Sequence, residues 1–342
     1  MRYRIRRKRQ WPRIGVAGAL TIAALVLAAG GAFVLDAVSS DPALEELARH
    51  AREAGQDPVQ FATAAARRNR IVLLGDVPGL AAPKRIAADV IEEIARTHGL
   101  DAVVLEVSSD HQDAIDRYLE TEPENISILL AREGLVPQVG GSTQPYLRIF
   151  RRVWELNQRL GPDRRIRILA ADIPGWPPDP SLSPAQAVRL YGQRDTHMAE
   201  QVEALLDRRP RSRLLVFAGG LHVLTGVQPR IGVGGGEPVS PQPLAAQLRS
   251  RYPWEVYSIL MDGAPRSSAI GGVVAFTATG AYDLFRRHAE RGAFALHVDA
   301  HFDALGEPLR GASAAGVDLS FAPQDFELSA ATDGYIFAAG AP

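Results

Sequence analysis

The chain contains no cysteine. That absence excludes a disulfide framework, a structural thiolate zinc site and a cysteine nucleophile, so the core alone must hold the fold together. No serine stands in a Gly-x-Ser-x-Gly elbow, which argues against a serine hydrolase of the α/β type. There is no internal repeat. Beyond the first residues no patch combines clustered Arg with aromatics, so nucleic acid is not an expected partner. Acid and base nearly balance over the 342 residues, at a net charge of −1. Residues 1–13 nevertheless hold seven basic side chains (Arg2, Arg4, Arg6, Arg7, Lys8, Arg9 and Arg13) and no acid, which takes the remainder from −1 to −8.

One long apolar run is present. Ile14 to Leu35 is 22 residues without a charge, and at about 1.5 Å per residue it spans roughly 33 Å as a helix, enough to cross a bilayer core. The basic tail before it would stay in the cytoplasm, which exports everything after it. A cleaved signal peptide is the alternative, but its apolar core would run only about 7–15 residues, and Ala37-Val38-Ser39 is a poor cleavage site. The expectation is a basic cytoplasmic tail (1–13), a single-pass signal anchor in the cell membrane (14–36), a helical linker (37–67) and an extracytoplasmic domain (68–342).

The 46% hydrophobic and 23% charged content is ordinary for a globular protein. Asp41 and Pro42 predict a helix start, with helix continuing to Ala66. Short apolar runs predict strands at Ile71–Leu74, Ala102–Leu105, Ile166–Ala170 and Leu214–Ala218, then near Trp254–Met261, Gly272–Thr277, Ala293–Val298 and Tyr335–Ala338. Helices are expected at Pro83–His98, His111–Leu130, Tyr146–Leu160, Pro184–Leu206 and Pro243–Arg251, and the Gly/Pro-rich 226–243 reads as a surface loop. Alternation of strands and helices predicts an α/β fold, a mostly parallel central sheet with helices on both faces, preceded by one N-terminal transmembrane helix.

Four of these strands end on polar side chains: Asp76, Glu106, Asp172 and, after two glycines, His222. Ligands of parallel sheets bind in the crevice beyond the strand C-termini, so the four point to one pocket. The segments LLGDVPG, AVVLEVSSDHQDAIDRYL, RDTHMAEQVEALL, FAGGLHVLTG and HFDALGEPLRG, in this order, resemble the superfamily of erythromycin-esterase-like enzymes, ChaN-like haem-uptake proteins and TraB/Tiki-type proteases. The resemblance covers residues 68–342. It implies that Asp76 stands where the family's first strand ends in Glu, that Glu106 is the strand-terminal glutamate, that His222 is the Gly-x-x-His histidine, and that Arg194 is an arginine near the pocket. The chain departs from the pattern at Pro78, where the family carries a histidine, so activity is expected to be reduced or altered.

A carboxylate following four apolar residues of a central strand, as Glu106 does, demands a partner. Glu106 and His222 could activate a water for ester or amide hydrolysis, with Asp76 as a second carboxylate and Arg194 stabilising an oxyanion; structural pairing of Glu106 with Arg194 is the alternative. His111 could supply the imidazole missing at Pro78. A haem or small-ligand binding protein without catalysis is the second reading, with His222 or His111 as axial ligand. A divalent metal held by Asp76, Glu106 and His222 is a further one, as is a metal site on the alternating His297, Asp299, His301 and Asp303. The expected partners are a small molecule or peptide, and the membrane through the N-terminal helix.

Overall fold

The computed structural model describes residues 42–76, 80–136, 143–179, 181–233, 237–262, 293–299, 312–314, 317–322 and 328–338. In chain order the elements are α1 Pro42–Ala54, α2 Pro58–Arg68, β1 Ile71–Asp76, α3 Ala81–Thr97, β2 Ala102–Ser108, α4 Gln112–Glu120, α5 Ser127–Leu130, α6 Gln144–Asn157 and β3 Arg167–Asp172. They continue with α7 Pro184–Arg208, β4 Leu214–Gly219, β5 Gln228–Val233, α8 Leu244–Arg251, β6 Val256–Asp262, β7 Phe294–His297, β8 Ala312–Ala314, β9 Val317–Ala322, α9 Leu328–Ala331 and β10 Gly334–Phe337.

Seven strands form the central sheet in the order β3-β2-β4-β1-β6-β10-β7, every pair parallel except β10 with β7 at the edge. Side chains alternate across it as strand geometry requires. Ile71 and Leu73, Val104, Leu214 and Val216 face one buried layer with Leu47 of α1, Val202 of α7 and Leu248 of α8. Val72 and Leu74, Val103, Leu215 and Phe217 face the opposite layer with Phe61 of α2, Ile91 of α3, Ile115 of α4 and Phe150 of α6. Strands apolar on both faces mark a sheet covered on both sides. The expected α/β architecture is present, and all five strands β3, β2, β4, β1 and β6 end along one rim.

Three elements differ from the sequence expectation. The helix over Asp41–Ala66 is two helices, because Asp57 accepts the N–H groups of Val59 and Gln60 at 2.9 Å each and Pro58 opens α2. Both helices pack on the sheet, with Leu47 and Phe61 buried, so residues read as a linker belong to the folded body. The helix over His111–Leu130 stops at Glu120, since Pro123 lacks an N–H and turns its predecessor away from helical geometry. The loop over 226–243 contains β5, which pairs antiparallel with β9 in a small sheet β5-β9-β8; its hydrogen-bond partners lie far along the chain, which local composition does not reveal.

Residues 1–41, Pro78, the strand expected at Gly272–Thr277 and the segment His301–Gly311 lie outside the described residues. Among the described residues no helix is long and apolar enough to cross a membrane.

Candidate functional site

Glu106, near the end of β2, points to the face of the sheet covered by α7. There the guanidinium of Arg194 fills the space between two carboxylates. Its Nε donates to both oxygens of Asp172 at 3.0 and 3.1 Å, and its Nη2 donates to Asp172 Oδ2 at 2.5 Å and to Glu106 Oε1. Asp172 is fully buried and Arg194 nearly so. The guanidinium also lies 4.0 Å from the ring centre of Trp176 and 5.2 Å from that of Tyr191, which adds a cation–π contribution on its open side.

His222 enters from the single turn Gly220–Val223 that follows β4. Its Nδ1 is 2.8 Å from Asp195 Oδ1 and its Nε2 is 3.5 Å from Glu106 Oε1. Tyr191 stacks on the imidazole at 5.8 Å between ring centres. Asp195 Oδ1 also accepts the backbone N–H of Leu244 at 2.7 Å, which ties α8 to the site. Glu106 Oε2 accepts the N–H of Gly219 at 2.5 Å.

Two glycines make this geometry fit. A Cβ on Gly219 would stand 3.2 Å from Glu106 Oε2. A Cβ on Gly75, in the neighbouring strand β1, would stand 2.5 Å from Val223 Cγ2 and 3.2 Å from the Cα of Gly220, so β1 must be bare there for the His222 turn to close over it.

The charge states follow from the pairing. Burial alone would neutralise His222, but the carboxylates of Asp195 and Glu106 outweigh it and push its pKa up to about 10. Burial likewise disfavours the charged form of Glu106; the Arg194 guanidinium and the His222 imidazolium reverse that and hold the carboxyl well below the usual carboxylate range. Arg194 is raised further above its ordinary value by Glu106 and Asp172, against the opposing effect of burial. At neutral pH the group is therefore carboxylate, guanidinium and imidazolium together. With a side chain 22% exposed, Glu106 is the member that meets the outside, since Arg194, Asp172, Asp195 and His222 are all at least 98% buried.

Asp76 lies on the other side of this arrangement. It pairs in register with Gly219, but strand alternation turns it toward α3, where Lys84 Nζ is 2.7 Å from Oδ1 in an almost fully buried ion pair. Tyr146 of α6 is buried against Phe217 of β4, with ring centres 6.0 Å apart. Burial raises its phenol well above the usual value, and Asp76, Glu106 and Asp172 raise it further.

Of the residues singled out from sequence, Glu106, Arg194 and His222 meet directly, and Asp76 is their neighbour across β4 and β1. His111 is half-buried in the single turn Ser109–His111 after β2, away from these contacts, and burial lowers its pKa. Asp172, expected at the same strand rim, joins Glu106 through Arg194, whereas sequence reasoning missed Asp195 and Lys84 as site members. A signal existed for both: Asp195 interrupts the apolar stripe Val188, Tyr191, Met198, Val202 of α7, and Lys84 that of Ala87, Ala88 and Ile91 in α3. A charge on a buried stripe announces a partner.

The donor set does not suit the expected cofactors. Arg194 and His222 already supply positive charge among Glu106, Asp172 and Asp195, which leaves no place there for a divalent cation. Among the described residues no group of three or more His, Asp or Glu is arranged to hold a metal. Both ring nitrogens of His222 face carboxylates, so an iron ligand would have to break one of those contacts. His297 turns its Nδ1 to the Tyr257 hydroxyl at 2.6 Å, and Asp299 lies 3.6 Å from His50.

No protein-family model and no curated protein sequence matches the chain. Solved structures do. A succinoglycan biosynthesis protein superposes with a TM-score of 0.62 at 10% identity, covering 88% of this chain and 98% of its own. A Bacillus cereus protein gives 0.61 at 12% identity over 86% of this chain and 97% of its own. The erythromycin esterase EreC, in its open conformation, gives 0.53 at 11% identity over 84% and 97%. At such identities the likeness is one of fold, and it is shared with an erythromycin esterase, as the ordered sequence segments led one to expect.

Proposed function

We propose that the domain is a hydrolase-like protein of the erythromycin-esterase fold, acting on an ester or amide through Glu106 as the only group of the ionic network that a ligand reaches. The observation that carries this is the clamp on Glu106: Arg194, His222 and the Gly219 N–H hold an ionised, oriented carboxylate at the strand rim. In this reading Glu106 orients and deprotonates the attacking water. His222, already an imidazolium, is not the base; its charge keeps Glu106 ionised, and the proton that Glu106 takes from the water passes on to the leaving alkoxide or amine. Arg194 is saturated by two carboxylates and holds the site together rather than serving as a free oxyanion donor.

A carboxylate of such low basicity is a weak general base, since efficiency rises as the catalytic pKa approaches the working pH. That favours slow turnover, and it is the one feature that favours the second reading, a small-molecule or peptide binding protein without catalysis. The test is hydrolysis of activated esters by the full chain and by Glu106→Gln. A catalytic Glu106 predicts a loss of about 100-fold or more. An unchanged rate overturns the hydrolytic scheme. We further propose that Ile14–Leu35 anchors the chain in the cell membrane with residues 68–342 outside; residues after 41 accessible to protease in intact spheroplasts support this, and protection contradicts it.

A further inference from the structure

Between the first turns of α3 and the length of α6 lies a cavity of about 530 Å³ whose lining includes Ala81, Arg85, Arg148, Arg151, Arg152 and Glu155. Two of its four arginines are neutralised by the protein itself. Arg151 pairs with Glu124 at 3.2 Å, and Arg152 with Glu92 and, more distantly, Asp89 and Glu155. Arg85 and Arg148 have no carboxylate partner among the described residues. Two uncompensated guanidiniums in one concavity attract an anion, and their planar forks suit carboxylate or phosphate oxygens. The position adds to this: α3 begins five residues after β1 ends, so Arg85 stands in the first two turns of the helix that leaves the strand rim where Glu106 lies.

We propose that this cavity binds the carboxylate or phosphate group of the domain's ligand, with Arg85 and Arg148 as the two recognising side chains. The inference deepens the reading of Glu106 and rests on it for the identity of the ligand, but not for the binding of the anion. The test uses the full chain and two probes, inorganic phosphate and succinate, titrated by calorimetry and by thermal shift at fixed ionic strength with chloride as control. Wild type is expected to bind at least one probe. Arg85→Ala and Arg148→Ala should each weaken it by about tenfold, the size of a lost charge-assisted hydrogen bond, with unchanged circular dichroism. Phosphate alone or succinate alone identifies which oxyanion the site prefers. Binding unaltered in the double variant, or no binding of either probe, overturns the proposal. Glu106→Gln should leave anion binding intact or strengthen it while abolishing hydrolysis, so the two readings fail separately. Should wild type hydrolyse esters, the arginine variants should raise KM for a carboxylate-bearing ester about tenfold and leave the neutral ester unaffected.

Discussion

The Nε2 of His222 lies 3.5 Å from Oε1 of Glu106, an imidazole from the turn after β4 against a carboxylate near the end of β2. Because β2 and β4 are adjacent and parallel, their ends share a rim. Each group fixes the other's charge: the carboxylate helps to protonate the imidazole, and the imidazolium helps to ionise the carboxylate. Arg194, itself held by Asp172, and Gly219 act on this pair from the Glu106 side, and Asp195 acts from the His222 side.

Stability should therefore depend on pH at both extremes. The folded pKa of His222 is raised to about 10, so its contribution is fully present below the ordinary histidine value and is lost as pH rises through about 10. Glu106 is depressed, so its contribution is present above the ordinary glutamate value and is lost as pH falls below it. Urea unfolding across pH should show a plateau around neutrality and a decline into the alkaline range. His222→Gln should remove the alkaline decline; its persistence would show that other groups cause it.

Asp195 orients His222 and binds the Leu244 N–H with the same oxygen. Asp195→Asn keeps the oxygen for the backbone bond and removes the charge. The imidazole pKa, read from ring-carbon proton shifts in an NMR titration, should fall by more than one unit, and stability should drop by about 1–3 kcal/mol. An imidazole that titrates as in wild type would show that Asp195 does not set its charge.

How far the sequence disclosed this site depends on whether the information is local. Glu106 and His222 were legible because each follows an apolar run that can only be a buried strand, which forces a polar group to the strand's end. Asp76 was legible as a strand-end carboxylate, yet its direction was not, since a shift of one residue reverses the face and only Lys84 shows which face it took. Arg194 was legible, but its saturation by Asp172 was not, because strand order is not written in local sequence. Strand β5 was hidden for the same reason: its Pro229 and Gly232 read as loop until β9 supplies the ladder.

Gly75 tests the claim that the His222 turn needs a bare strand beside it. Gly75→Ala places a methyl against Val223 Cγ2 and the Cα of Gly220. The clash should cost about 1–3 kcal/mol, the range of overpacking in a close-packed core. Val223→Ala in the same chain should recover part of it, since the side-chain contact is relieved while the contact with the Gly220 backbone remains. Full recovery, measured by denaturant midpoint, would show that only Val223 obstructs.

The pair of Lys84 and Asp76 decides what Asp76 does. Removing one partner of a buried ion pair leaves an uncompensated charge and costs about 3–5 kcal/mol, whereas replacing both by apolar groups of similar volume is often neutral. Lys84→Met and Asp76→Leu should therefore each destabilise strongly, and the double variant should be more stable than either. The coupling energy of that cycle measures the structural role. Ester hydrolysis by the double variant measures the other: retained activity would make Asp76 a counter-charge for Lys84 alone, and loss of activity in a chain that still folds would make it a part of the reaction. The second outcome would require Asp76, on β1, to reach past β4 to the same ligand as Glu106 on β2.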